Sequence, residues 1–131
     1  GTDAGYVDDG LVAGIKVTGG IRGAGHDDPP LEIRQILFQR LEAAALAVYQ
    51  RGHIPLIGEW LALPLAKAAG STSLDDEISE AMLYPVAHRL ITRCDAIYRI
   101  AGASKGADMD IEVARQHGLT LYTSVEDIPQ N

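Results

Sequence analysis

The chain has one cysteine, Cys94, among its 131 residues. A lone thiol excludes an internal disulfide and fits a reducing compartment, so a cytoplasmic protein is expected. Aromatic side chains are scarce at 5%, which leaves the core to aliphatic residues. Basic residues are outnumbered, 11 Lys and Arg against 18 Asp and Glu, for a net charge of −7. That balance argues against duplex nucleic acid or an anionic membrane as the main partner. No apolar run is long enough to span a bilayer, and no charged-then-apolar leader opens the sequence. His26, His53, His88 and His117 are scattered without ligand spacing, so a metal site is not expected. A spaced G-x-G-x-x-G fingerprint is also missing, which argues against a dinucleotide site.

What remains is ordinary globular composition, 47% hydrophobic and 22% charged, in a length that suits one core. Residues 1–14 are rich in Gly and Asp and lack periodicity, and read as a flexible N-terminal tail. Residues 15–131 read as a single domain. Ile15-Lys16-Val17-Thr18 alternates as a strand does and runs into the glycine-rich loop Gly19-Gly20-Ile21-Arg22-Gly23. A long helix follows from Pro29-Pro30 to Gly52, with apolar residues at helical spacing. His53–Ile57 reads as a second strand with Gly58-Glu59-Trp60 at its end. Leu61–Ala69 reads as a short helix broken by Pro64. Ser73 and Asp76 resemble a capping box opening a further helix, which Pro85 interrupts or restarts. Asp95–Ile100 is a third strand, a helix ends at Gly118, Leu119–Tyr122 is a fourth strand, and Ser124 caps a last turn. Strand and helix in alternation imply an α/β fold with a parallel sheet, helices on both faces, and a ligand site beyond the carboxyl ends of the strands. The glycine loop, Glu59 and the turn at Ser104 all fall at that edge.

The richest segment is Ser104-Lys105-Gly106-Ala107-Asp108-Met109-Asp110. It opens a helix, and helix starts present unbonded N–H groups and partial positive charge that suit phosphate. At about 100° per residue, Gly106, Asp110, Val113, Ala114 and His117 share one arc, while Asp108, Glu112 and Arg115 share the opposite one. Asp110 therefore lies on the apolar face, where a carboxylate is costly unless it has partners or a function. The same phase turns Glu112 away.

Three motifs occur in order: the Gly19–Gly23 loop after the first strand, Cys94-Asp95-Ala96-Ile97 at the third, and Ser104-x-Gly106-x-x-x-Asp110-x-x-x-Ala114. Together they resemble the nucleoside 2-deoxyribosyltransferase superfamily across residues 15–128, with the 2′-deoxynucleoside 5′-phosphate N-hydrolase branch the most similar. The resemblance implies a flavodoxin-like three-layer sandwich with a parallel sheet of four to five strands. It also implies a homo-oligomer and a small nucleotide substrate, with no cofactor. It makes Asp110 the nucleophile on the sugar's anomeric carbon, where the family carries a glutamate one methylene longer. Asp95 would orient that nucleophile or handle a proton. Gly19, Gly20, Ile21, Arg22, Gly23, Glu59, Ser104, Lys105 and Gly106 would bind substrate, with Ser104 on a 5′-phosphate; Gly20 replaces the branch's serine. Plainer readings stand beside these: Ser104 as a helix cap, Asp95 as a cap or a partner of Arg93 or Arg99, and Trp60 as core rather than a stacking surface. The expected activity is cleavage of the base–sugar bond of a nucleoside 5′-monophosphate. The alternatives are a deoxyribosyltransferase and a non-catalytic module that binds a nucleotide or sugar phosphate.

Overall fold

The two-residue beat of Ile15-Lys16-Val17-Thr18 becomes the central strand of the sheet. In the computed structural model, which describes residues 14–19, 30–73 and 76–131, β1 (Gly14–Thr18) is followed by α1 (Leu31–Gln50), β2 (Ile54–Leu56), α2 (Gly58–Ala68) and α3 (Glu77–Ile91). The chain continues through β3 (Ala96–Arg99), α4 (Lys105–Gln116), β4 (Thr120–Tyr122) and a 3-10 turn at Val125–Asp127. The four strands pair in the order β2-β1-β3-β4, and every pairing is parallel. Helices flank the sheet, in keeping with a flavodoxin-like three-layer sandwich. The expected tail lies outside the described residues except Gly14, which opens β1.

Side chains alternate across a strand, so each strand serves two layers. Ile15 and Val17 pack with Leu41, Ala45 and Val48 of α1, and Ile128 after the 3-10 turn completes that layer. On the other side Ile97 packs with Ile91 of α3 and with Ile111 and Ala114 of α4. Lys16 and Thr18 point into this second layer and are almost wholly buried, at 2% and 5% exposure. The chain leaves β1 through α1 on one face and returns to β3 through α2 and α3 on the other. A crevice at the carboxyl ends of β1 and β3 follows from that divergence.

Three local expectations are corrected. Gly58-Glu59-Trp60 is not the end of β2 but the first turn of α2. A Cβ on Gly58 would sit 3.3 Å from the Ala87 side chain, so a glycine is what lets α2 lie this close to α3. Pro64 and Pro85 lie inside α2 and α3 without ending them; each removes one N–H, and packing of the buried face holds the rest. The capping pair is also reassigned. Asp76 is itself the N-cap of α3 and accepts from the Ser79 amide at 2.9 Å, while Ser71 Oγ donates to the same carboxylate.

Candidate functional site

The crevice is a small, half-open cleft at the carboxyl ends of the strands. Its floor is β1 from Lys16 to Gly19, and its walls come from Glu59 of α2, Tyr84 and Ala87 of α3, and the first two turns of α4. Gly19 ends the strand with a positive φ of 149°, and a Cβ there would collide with the Ile100 side chain. Glycine is thus required where β1 turns away at the cleft.

Asp110 sits at the centre, on the second turn of α4, and is 5% exposed. Its two oxygens differ. Oδ2 accepts from Thr18 Oγ1 at 2.7 Å and from Lys16 Nζ at 3.3 Å. Oδ1 is buried and has no hydrogen-bond partner among the described residues; His88 Nε2 lies 3.6 Å from it. An ionised carboxylate at this depth needs an opposite charge or donors to offset lost hydration. Lys16 supplies the charge and Thr18 a short hydroxyl bond. One oxygen is held and the other is left unbonded, on a residue that lines the cleft. That arrangement fits a nucleophile or a proton acceptor, since the unbonded oxygen keeps both of its lone pairs.

Ser104 and Gly106 bring the start of α4 to the same wall. Ser104 is the N-cap, and its Oγ accepts from the Ala107 amide at 3.1 Å. The capping role is therefore real, and the capping residue is itself part of the cleft wall. The buried arc of α4 comprises Gly106, Ala107, Asp110, Ile111 and Ala114. Asp108 and Glu112 are exposed as the helix phase requires, Asp108 pairing with Arg99. His117 is a correction: it lies beyond the end of α4 and is exposed.

Not every expected site residue gathers here. Gly19, Glu59, Ser104, Gly106 and Asp110 line the cleft. Gly20, Ile21, Arg22 and Gly23 lie outside the described residues. Lys105 is exposed on the first turn of α4 and does not line the cleft. Asp95 is also exposed, and its amide bonds to the Gly14 carbonyl at the amino edge of the sheet. Roughly 13 Å of strand separates that edge from the carboxyl ends. Asp95 is not among the residues that line this cleft. Trp60 is partly exposed and donates its Nε1–H to Glu42 at 2.9 Å, so it ties α2 to α1 rather than filling the core. Cys94 is buried, and desolvation pushes its thiol up to about 11, which leaves it unsuited to nucleophilic attack.

Lys16, Thr18 and His88 complete the site, and the sequence reading did not assign them to it. Lys16 and Thr18 did carry a signal. In a central parallel strand both faces are covered, so polar residues at every second position are buried and need partners. His88 had no local signal, because its contact depends on how α3 lies against α4. Among the described residues no cluster of His, Cys, Asp and Glu is arranged to hold a metal, and no helix is long and apolar enough to cross a membrane. A scan of family models finds no match to the chain, and searches of curated proteins and of solved structures find none either.

Proposed function

We propose that the protein is an N-glycosidase acting on a nucleoside 5′-monophosphate, releasing the free base and a sugar phosphate. The observation that carries this reading is the asymmetry of Asp110: Oδ2 is fixed by Lys16 and Thr18, and Oδ1 is buried at the cleft without a hydrogen-bond partner among the described residues. In the proposed reaction Oδ1 bonds to the anomeric carbon as the bond from that carbon to the base nitrogen breaks. The bonding pair leaves with the base, which takes up a proton from solvent, and the water that later adds at the carbon returns one. Water then adds to the same carbon, and the ester bond breaks to return the carboxylate, so that two displacements retain configuration. The start of α4, with the Ser104 hydroxyl and the Gly106 backbone, is the seat for the 5′-phosphate. Aspartate reaches less far than glutamate, and anchoring Oδ2 offsets this by fixing where Oδ1 points.

The test is incubation with ribo- and 2′-deoxyribonucleoside monophosphates, following free base by chromatography. Asp110→Asn should cut base release by at least about a thousandfold while nucleotide affinity stays within a few-fold. Turnover unchanged by that substitution would remove Asp110 from the nucleophile's role. Adding a second free base and looking for exchange separates a deoxyribosyltransferase from a hydrolase. The Lys16 contact favours one rival reading, a non-catalytic nucleotide-binding module, because it partly neutralises the carboxylate. Tight monophosphate binding with no base released from any nucleotide would establish the rival.

A further inference from the structure

Facing Asp110 Oδ1 is a group that the proposed chemistry has not used. His88 extends from α3 with Nε2 3.6 Å from that oxygen, and neither atom has a hydrogen-bond partner among the described residues. At this separation a neutral ring makes no hydrogen bond, whereas a protonated ring is within ion-pair reach of a carboxylate. The imidazole lies beside Tyr84 of its own helix, the ring centroids 6.2 Å apart and the planes tilted by 40°.

Geometry decides which role the ring can take. Displacement at the anomeric carbon places nucleophile and leaving base on opposite sides of that carbon. A group this close to the nucleophilic oxygen stands on the nucleophile's side. It is therefore badly placed to protonate the departing base or to activate the incoming water. We infer that His88 is a positioning residue acting through Asp110: its protonated ring engages Oδ1 and withholds it from substrate, and its neutral ring releases it. The inference rests on the reading of Asp110 as nucleophile. The charged groups around the ring agree with this division. Asp110 faces it from α4, Lys16 of β1 is committed to Oδ2 and leaves Oδ1 to His88, and Glu59 of α2 lines the same cleft.

The experiment compares single-turnover base release by the wild type, His88→Gln and His88→Lys across roughly pH 5 to 8, the window in which histidine changes charge. Wild-type release should fall about tenfold per pH unit on the acid side of that window. His88→Gln should lack that fall. His88→Lys, which fixes a cation at the site, should be at least tenfold slower than His88→Gln throughout. A glutamine variant that keeps the wild-type fall, or a lysine variant as fast as the glutamine one, overturns the inference. Thermal melts of each variant establish that it is folded. A measurement that needs neither variant nor turnover is the ring-nitrogen NMR shift of His88 at about pH 6. Asp110→Asn should move it toward the neutral form, and an unchanged shift overturns the pairing. A wild type that releases no base from any nucleotide counts against the N-glycosidase reading instead, and the NMR comparison still decides whether His88 and Asp110 are paired.

Discussion

Lys16 and Asp110 are 94 residues apart in the chain and 3.3 Å apart in space. Their contact joins the central strand to α4 through a layer whose other polar members at this point are Thr18 and His88, and the side chains are 3% and 8% exposed. At that depth each charge is tolerable because of the other, so the pair is a structural commitment as well as a feature of the cleft.

Lys16→Met keeps the length of the side chain and removes its charge. It should destabilise the protein by about 3 kcal/mol or more, the usual cost of leaving one member of a buried pair alone. Adding Asp110→Asn should recover part of that loss, because the stranded charge is then gone. Urea unfolding of the two single variants and the double variant measures the coupling. Additive losses would mean that the two side chains do not depend on each other.

Ser104 has two separable duties, and two substitutions divide them. Ser104→Ala should cost about 1 kcal/mol of stability through loss of the cap, whereas Ser104→Gly should cost a few tenths. Both remove the hydroxyl from the cleft. Both should therefore weaken a 5′-monophosphate by about 1.5–3 kcal/mol, the worth of a hydrogen bond to a charged oxygen, with little effect on the matching nucleoside. Calorimetric titration with the two ligands reads the difference, and equal losses would detach Ser104 from the phosphate.

Asp76 gives a prediction about acid stability. The amides of Ser79 and Thr72 donate to its carboxylate, with further help from Ser71 and Ser73, and hold it at about 2, below the usual aspartate value of 3.8. A carboxyl depressed in the folded state stabilises the fold above its unfolded value and loses that contribution as pH falls through the folded one. The difference in melting temperature between wild type and Asp76→Asn should be constant above about pH 5 and shrink between about pH 4 and pH 2. A constant difference down to pH 2 would contradict the capping geometry.

The sequence made the framework legible because its strands and helices have clear periods. Ile15–Thr18 and the apolar spacing of α1 come through directly, and the phase of α4 buried Asp110 on helical geometry alone. Elsewhere tertiary packing overrode local preference. Gly58 and the two prolines read as breaks, yet they lie within helices whose buried faces hold them in place. Asp95 lies apart from the cleft lining for a different reason. A motif gives the order of residues along a strand but not which edge of the sheet each one reaches, and this one sits at the amino edge. His88 was illegible because no local pattern encodes the placement of α3 against α4.

The alternation along β1 has a consequence for folding. Ile15 and Val17 face α1, and Lys16 and Thr18 face α4. Slipping the strand by one position against either neighbour would drive an ammonium group into the aliphatic layer and set two apolar side chains against Asp110. The lysine thus serves as a proofreader of strand alignment: a mispaired sheet would carry an uncompensated charge on each side, so the correct phase of the central strand is selected before any ligand arrives.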